Sequence, residues 1–393
     1  MLENDGLMLN LVSSALFAYQ GEINSDFEDN ALADELAAQA VLPIAVSGAG
    51  SSAPEEVRAK WRKRSNEIVA ANMMISYEHT ELHELMTANH IPYVILKGAA
   101  SASYYPEPIL RTMGDVDFLV KEQDMKRAGE LLESIGFEPE ADTGGIHIGY
   151  HRGNSTWEMH RSVNGIPDNA AGEIIRGYLS DVIETAVDYD EGNGILRIPD
   201  PFHHGLILLL HTASHLTSEG VGLRHLCDWA VFANHFTDEQ FVDLFESKLK
   251  VCGLWRFAQL LTLVSVKYLH MPGKSWAGTA QDDLLERMIC DILAGGNFGK
   301  KDEDRYRQIK YIATRAEHTV DEKPAVLQLW DTISRKAQAA NQSRAAVMLD
   351  YVKMVLHGQR KMDRVSTIRR AEARKNLYAE FHLYENREGT GTL

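Results

Sequence analysis

The stretch of sequence that decides the fold is Gly114-Asp115-Val116-Asp117-Phe118-Leu119-Val120. Its second half is mostly apolar and predicts a buried strand over Val116–Val120. Alternate residues of a strand share one face, so Asp115 and Asp117 are expected to project together, away from the apolar side chains. Carboxylate oxygens are the ligands that hard divalent cations prefer. The stretch therefore predicts a strand that carries two candidate metal ligands at its start.

A short strand is also predicted just upstream, over Tyr93–Leu96, and it ends in Lys97-Gly98-Ala99-Ala100. Small residues at such a turn allow backbone N–H groups to approach an anion. Lys97 and Arg111 add positive charge on either side of this segment, and both are expected to contact phosphate groups. Ordinary solvent-exposed charge is the alternative interpretation for both residues.

The pattern after the aspartates alternates between helix and strand. It predicts a helix over Glu122–Ile135, followed by strands over Ile146–His151 and Thr156–Arg161. The turn Arg152-Gly153-Asn154 joins the two strands into an antiparallel hairpin. A mixed sheet with helices before and after it places the protein in the α+β class.

The second hairpin strand offers a third carboxylate. Glu158 and His160 share one face of that strand, whereas Trp157 and Met159 point to its apolar side. Glu158 is therefore the candidate that completes an acidic trio with the two aspartates. A cross-strand ion pair on a solvated sheet face is the alternative for Glu158, and His160 is a base, a substrate contact or a core histidine.

These residues carry a resemblance to a known family. The segment Leu96–Val120 resembles the uncharacterised nucleotidyltransferase family of the DNA polymerase β superfamily. The similarity extends to Trp157-Glu158-Met159-His160 and, loosely, to a later helical segment that contains His211, His215, Arg224 and Asp228. Better-studied members of the superfamily usually have Gly-Ser where this chain has Lys97-Gly98, and Ser101 and Ser103 are candidates for the missing hydroxyl.

The resemblance implies roles for these residues. Asp115, Asp117 and Glu158 are expected to bind Mg2+ (or Mn2+) and to be catalytic. The expected nucleotide- and phosphate-binding residues are Lys97, Gly98, Ser101, Arg111 and Gly114, and the expected substrate-pocket residues are His160, His211, His215, Arg224 and Asp228. The expected donor is an NTP, with ATP as the first candidate, and the acceptor is an unknown hydroxyl of a small molecule, a protein or an RNA end.

Composition and charge narrow the class of protein. The chain has 393 residues, 24% charged and 45% hydrophobic, which is ordinary for a globular protein. A formal net charge of −16 disfavours general nucleic-acid binding. Three cysteines without paired spacing favour a reducing, cytoplasmic location, and no segment reads as a signal peptide or a membrane span.

Three regions are expected: an N-terminal helical region over residues 1–90, a nucleotidyltransferase core over 91–200, and a C-terminal helical domain over 201–393. Ser52 and Glu55 form a capping-box pattern that predicts the start of a long helix running toward Asn89. A basic segment follows much later, and it is either a solvated helix face or a surface for RNA or an acidic partner: Lys353, Arg360, Lys361, Arg364, Arg369, Arg370, Arg374 and Lys375. The glycine-rich piece Gly295–Lys301 lacks the spacing of a phosphate-binding P-loop and is expected to be a surface loop.

Three functions stay open at this stage. The leading hypothesis is a Mg2+-dependent nucleotidyltransferase that releases pyrophosphate. The departure at Lys97-Gly98 motivates a second, a catalytically inactive nucleotide-binding or scaffolding protein of the same fold. His211 and His215 lie four residues apart on one predicted helix face, which can bind zinc and motivates a third, a metallohydrolase.

Overall fold

The structure, a computed structural model, describes residues 3–21, 31–50, 53–299, 301 and 364–385. The chain divides into two compact units, Met1–Glu303 with Leu377–Leu393, and Asp304–Asn376. The sheet and all the candidate site residues belong to the first unit. In the second unit the described residues, 364–376, are helical.

The N-terminal part is helical, as predicted. Its helices are α1 (Glu3–Phe17), α2 (Ala31–Ala38), α3 (Leu42–Ala49) and α4 (Glu55–Ala88). The long helix α4 begins after Pro54 and ends before Asn89, while Ser52 of the predicted capping box lies outside the described residues. Leu82 and Met86 of α4 are fully buried in the hydrophobic cluster that covers one face of the sheet. This helix therefore supports the sheet.

The central element is a five-stranded sheet with the order β1-β2-β5-β4-β3. Its strands are β1 (Tyr93–Ile95), β2 (Val116–Val120), β3 (Glu138–Pro139), β4 (His147–Arg152) and β5 (Ser155–His160). β2 and β5 pair in parallel, whereas the other neighbours are antiparallel. The mixed sheet confirms the α+β class, and β4 with β5 forms the predicted hairpin, its turn made by Gly153 at φ +62°.

The two faces of β2 have different environments. Val116, Phe118 and Val120 pack with Trp157 and Met159 of β5 in the cluster that also buries α4. Because side chains alternate along a strand, Asp117 projects from the other face. It stands beside Glu158 there, since the two residues are register partners in the parallel pair.

Short elements connect the strands of the sheet. Between β1 and β2 lie α5 (Ala99–Ala102) and a 3-10 turn at Pro108–Leu110. The predicted helix over Glu122–Ile135 is a 3-10 turn at Glu122–Asp124 followed by α6 (Met125–Ser134). After β5 come α7 (Ala170–Tyr178) and a two-stranded sheet of β6 (Val187–Asp190) and β7 (Ile195–Ile198), which the sequence pattern did not predict.

From Pro201 the described chain is helical, as expected. The helices are α8 (Pro201–Thr217), α9 (Leu223–His235), α10 (Asp238–Phe241), α11 (Ser247–Val251), α12 (Trp255–Tyr268), α13 (Asp282–Gly295) and α14 (Arg364–Ala379), with a π-helical turn at Val242–Glu246 and 3-10 turns at Ser275–Ala277 and Asn297–Gly299. Asp200 caps α8 by accepting hydrogen bonds from the backbone N–H groups of Phe202 and His203. None of the described helices combines the length and the apolar character that crossing a bilayer requires.

The predicted basic segment falls partly on α14. Arg369, Arg370 and Lys375 are exposed, whereas Arg374 is buried. Lys353, Arg360 and Lys361 lie outside the described residues. A role in RNA binding stays a prediction.

Candidate functional site

The structure brings the three predicted carboxylates together. Asp117 on β2 and Glu158 on β5 lie side by side in the parallel register, and Asp115 precedes β2 by one residue. One oxygen from each of the three lies within 4.8 Å of the others. This acidic cluster is one of two groups of potential metal ligands among the described residues, and the other consists of His147, Glu158 and His160.

Asp117 is the most tightly held member of the acidic cluster. Its side chain is only 3% exposed, and both of its oxygens have a partner: Lys97 Nζ lies 2.9 Å from Oδ2, and His160 Nε2 lies 3.0 Å from Oδ1. Burial alone would raise the pKa of Asp117, but the charge of Lys97 and the hydrogen bond from His160 outweigh burial and lower it. Asp117 is therefore ionised, and the same contacts raise the pKa of His160 and Lys97.

Asp115 and Glu158 are less constrained. Burial and the neighbouring charge of Asp117 raise the pKa of Asp115 to about 6. Glu158 has one oxygen 3.4 Å from His160 Nε2, and its side chain keeps 26% of its surface exposed. These two carboxylates are thus available to a ligand that enters the site, whereas Asp117 must exchange a partner.

The turn after β1 lies against the acidic cluster. Gly98 has φ +60°, and a Cβ atom there would stand 3.1 Å from the ring of His79, so no other residue fits without strain. Ser101 in α5 is 2% exposed, and its Oγ has no hydrogen-bond partner among the described residues. An unpaired buried hydroxyl is costly, which suits a site whose ligand supplies the partner.

Arg111 lies at the site but is locked to another residue. Its Nε and Nη2 each donate a hydrogen bond of 2.7 Å to the two oxygens of Asp228, and the hydroxyl of Tyr105 donates one of 2.6 Å to Oδ1. The side chains of Arg111 and Asp228 are 5% and 6% exposed. Two residues predicted for phosphate and substrate binding therefore bind each other and tie α9 to the loop before β2.

The second arginine at the site, Arg224 on α9, has a donor atom without a partner among the described residues. Arg224 donates from Nη1 to the backbone oxygen of Thr112 at 2.9 Å, but its Nε has no partner among the described residues. Burial and the charge of Arg111 lower the pKa of Arg224, and Asp228 and Asp115 partly offset this effect. Arg224 thus presents a cation to the site with fewer fixed contacts than Arg111.

Histidine and phenylalanine rings form the helical side. The rings of His211 and His225 stack with centroids 5.4 Å apart, and Phe298 lies 5.2 Å from His225 in an edge contact. His225 is 2% exposed, and neither of its ring nitrogens has a partner in the described part of the chain. Burial lowers the pKa of both His211 and His225 well below the usual value, so both rings are neutral. His215 stacks edge-on against His211 at 4.4 Å, yet neither residue belongs to a potential metal cluster among the described residues.

Most of the side chains described above line one pocket. Its open space measures about 410 Å³, and its walls are formed by Lys97, Gly98, Ser101, Arg111, Met113, Gly114, Asp115, Asp117, Leu208, His211, Arg224, His225, Asp228 and Phe298. Of the predicted site residues, Glu158, His160 and His215 lie beside this pocket rather than on its surface. Glu158 belongs to the acidic cluster, and His160 contacts that cluster through Asp117 at 3.0 Å and Glu158 at 3.4 Å.

Phe298 is one of the pocket residues that sequence reasoning missed. The loop over residues 295–301 was expected on the surface, but it places Phe298 in the pocket wall with φ +55°, a left-handed conformation that is rare for a phenylalanine. The loop packs closely, since a Cβ atom at Gly299 would stand 2.2 Å from the backbone oxygen of Glu219. Such strain costs about 1 kcal/mol or more and concentrates at functional sites.

Asn72 of α4 was also missed. Its Nδ2 donates to the backbone oxygens of Ile109 and Arg111, at 2.7 and 3.0 Å, and its Oδ1 accepts from the N–H of Met113 at 2.9 Å. Asn72 is fully buried, and it fixes the loop that leads into β2. A single asparagine within a long helix gives no local signal for this role.

A mixed sheet that carries adjacent carboxylates at a pocket with lysine and arginine on its walls defines the class of nucleotidyltransferase-like proteins. Residues 25–270, well over half of the chain, match the family described as "Uncharacterised nucleotidyltransferase". The chain belongs to this family, as its sequence resemblance indicated.

Comparison with solved structures gives a partial match. It is an antigenic nucleotidyltransferase-like protein from Paracoccidioides brasiliensis, 15% identical, matched over 54% of this chain and 94% of its own, with a TM-score of 0.31. No curated protein matches the chain.

Proposed function

We propose that this protein is a Mg2+-dependent nucleotidyltransferase that moves a nucleoside monophosphate from an NTP to a hydroxyl group and releases pyrophosphate. The observation that carries the proposal is the acidic cluster, whose three oxygens lie within 4.8 Å of one another. Its position supports the proposal further, because Asp115 and Asp117 line the same pocket as Lys97 and Arg224. Carboxylates beside cationic side chains suit a ligand that is a metal–phosphate complex.

The donor set fits Mg2+ or Mn2+. Asp115, Asp117 and Glu158 offer carboxylate oxygens alone, which is the preference of hard divalent ions, and no thiol takes part. We assign these three residues as the metal ligands. A bound divalent ion would neutralise charge on the triphosphate and favour ionisation of the attacking hydroxyl.

The phosphate contacts are assigned to Lys97, Ser101 and Arg224. Each lines the pocket, and Ser101 and Arg224 each have a buried donor atom without a protein partner in the described structure. Arg111 receives a different role because Asp228 occupies two of its donors in a bidentate pair. It holds α9 in place, so that Arg224 of the same helix faces the phosphates.

The nucleoside is assigned to the ring-lined wall. Leu208, His225 and Phe298 give this wall an apolar and aromatic surface, and the unpartnered nitrogens of His225 can bond to the polar edge of a base. A nucleobase stacks favourably on aromatic rings whatever its identity. The expected donor is ATP, and the wall does not restrict the choice to adenine.

In the transfer step the acceptor oxygen forms a bond to the α-phosphorus, while the bond from this phosphorus to the oxygen that bridges to the β-phosphate breaks. Pyrophosphate carries away the bonding electrons. The hydroxyl proton passes to a carboxylate, and we assign Glu158, which is 26% exposed and thus more accessible than Asp117 at 3%. Acceptors compatible with this step are small molecules, protein side chains and RNA ends.

The test is label transfer from NTPs that carry a radioactive α-phosphate. Each of the four NTPs is incubated with the full chain, Mg2+ and pools of metabolites, proteins and RNA, and labelled products are separated by size. We expect a labelled product that requires Mg2+ and disappears with Asp117→Asn. Asp188→Asn is the matched control, because Asp188 pairs with Arg197 on the small second sheet, away from the pocket. Equal labelling by Asp117→Asn and the parent would contradict the proposal.

One observation favours a second candidate, a protein that binds the nucleotide without consuming it. The ammonium of Lys97 forms an ion pair with Asp117, a residue that the transfer reaction needs as a metal ligand. Calorimetry with ATP and Mg2+ separates the two functions. A nucleotide-binding protein gives a stable binding signal and unchanged ATP after long incubation with every acceptor pool.

A further inference from the structure

Two ion pairs in the pocket have the same sign pattern but very different constraints. Arg111 and Asp228 share two hydrogen bonds of 2.7 Å, and their side chains are 5% and 6% exposed. Lys97 reaches Asp117 through a single contact of 2.9 Å, and the lysine side chain is 22% exposed. The buried bidentate pair of Arg111 and Asp228 is fixed. The single contact from Lys97, whose long side chain is flexible and partly exposed, can be exchanged.

Lys97 contacts a carboxylate oxygen of Asp117, one of the three proposed metal ligands. Its Nζ lies at Oδ2 of Asp117, while Oδ1 of the same carboxylate is engaged by His160 Nε2 at 3.0 Å. Asp117 therefore has no free oxygen in this arrangement. A divalent ion bound to the same carboxylate would stand close to the charged Lys97 ammonium, and repulsion between the two cations favours the departure of one of these partners. His160 is 4% exposed and also lies 3.4 Å from Glu158, so Lys97 is the partner that can leave.

A destination for Lys97 exists within the same pocket. Lys97, Ser101 and Arg224 all line it, and the last two have unpartnered donor atoms. A triphosphate bound by those donors would present an anion to the lysine while the metal ion takes its place at Asp117. The lysine would exchange one anionic partner for another without crossing to a different cavity.

We propose that Lys97 is an intramolecular cation that occupies the acidic cluster in the nucleotide-free protein and moves to the phosphates when the metal ion arrives with the nucleotide. The inference rests on the proposed function and deepens it, since it makes binding of the metal and of the nucleotide strongly coupled. Without nucleotide, Lys97 competes with the metal ion for Asp117. With nucleotide, the competition ends.

The experiment measures Mn2+ binding to the full chain, by the paramagnetic resonance signal of free Mn2+, with and without a non-hydrolysable ATP analogue. The variants are Lys97→Met, which keeps the length of the side chain without its charge, and Lys97→Gln, which serves if the first variant folds poorly. Lys121→Met is the matched control, because Lys121 pairs with the partly exposed Glu184 outside the pocket.

We expect Lys97→Met without nucleotide to bind Mn2+ at least about tenfold more tightly than the parent, because one competing charge is gone. The analogue should tighten Mn2+ binding more in the parent than in Lys97→Met, and Lys121→Met should behave like the parent. Equal Mn2+ affinity of the parent and both Lys97 variants in the absence of nucleotide would overturn the inference and leave the proposed function intact.

A different result would reach further. If neither the parent nor the Lys97 variants bind Mn2+ under any condition, the metal assignment in the proposed function is wrong, and the inference is wrong with it. Asp117→Asn provides the reference for this outcome, because it removes the carboxylate for which lysine and metal compete. Thermal unfolding of each protein with increasing Mn2+ gives a second readout of the same affinities.

Discussion

The two walls of the pocket solve the problem of burying polar groups in opposite ways. On the sheet side, the most deeply buried charge is kept and paired, since Asp117 lies between Lys97 and His160. On the helical side, His211 and His225 are held neutral by burial, and His225 has no partner within the described residues. Pairing offsets part of the cost of burying these charges, whereas the unpaired ring nitrogens leave hydrogen-bonding capacity that a ligand can use.

Because the two walls differ in charge, we assign a different task to each. Under the proposed function, the sheet wall provides the metal ligands and Lys97, whereas the helical wall provides Arg224 for the phosphates and a ring surface for the base. Arg111 and Asp228 join the walls, since one lies before β2 and the other on α9. Changes on one wall should therefore have effects that changes on the other do not reproduce.

The largest effect is expected from Asp117→Asn, which tests the sheet wall. The amide keeps the shape but cannot serve as an anionic ligand, so transfer should fall by roughly a thousandfold. Binding of a metal-free base analogue should be unchanged, because the helical wall is intact. Labelled product is measured beside the melting temperature, and a fully active variant would remove the functional distinction between the walls.

Asp228→Ala tests the connection between the walls. It leaves the buried Arg111 without its carboxylate, and the free energy of unfolding should fall by about 3 kcal/mol. Urea denaturation measures this change. The double variant Arg111→Met with Asp228→Leu removes both charges and should recover much of the loss; a double variant as unstable as the single one would show that the charges are not the cause.

A pH titration tests whether the helices depend on neutral histidines. His204 of α8 is 1% exposed, stacks on Tyr104 and has its pKa lowered by burial from 6.5 to about 3. Below pH 6.5 the unfolded chain binds a proton at this residue that the folded chain does not. Stability should therefore fall as the pH drops from 6.5 toward 3, by about 1.4 kcal/mol per pH unit for this group, with no effect above 6.5.

His204→Phe is the matched variant for that titration, because an apolar ring fits between Tyr104 and Phe232. Its stability should decline less steeply than that of the parent between pH 6.5 and 5. Urea denaturation at several pH values gives both slopes. Parallel slopes would mean that the burial of neutral His204 does not cause the loss of stability at low pH.

The smallest effect is expected from Phe298→Leu on the helical wall. Loss of the ring should weaken nucleotide binding about fivefold, since a stacking contact contributes about 1 kcal/mol. Phe298→Tyr keeps the ring and should bind like the parent, and Mn2+ binding should be unchanged in both. Calorimetry with the ATP analogue measures these affinities, and a leucine variant as tight as the parent would refute the stacking assignment.

Local patterns predicted the strands that carry the acidic side of the site. The strand at Val116–Val120, the hairpin and the alternation around Glu158 are all set by neighbours along the chain, and the register pairs Asp117 with Glu158. The family resemblance added the roles of these residues. Here the periodicity of a strand determines which side chains share a face.

The partners of these residues could not be predicted in the same way. Arg111 and Asp228 are separated by 117 positions, and only tertiary packing shows that they bind each other. Phe298 lies in a loop without periodicity, two residues after a glycine pair. The local pattern therefore could not predict where its ring would point. The choice between a free and a paired charge depends on distant chain segments, which no local pattern encodes.

The parallel pairing of β2 with β5 has a consequence for how this protein can vary. The exposed loop over residues 141–145, between β3 and β4, can change in length without disturbing the site, because it only has to return the chain to the sheet. A single inserted residue between Ser155 and Glu158 would instead turn the glutamate toward the apolar side occupied by Trp157. Insertions and deletions in natural variants should therefore accumulate in the first interval and be absent from the second.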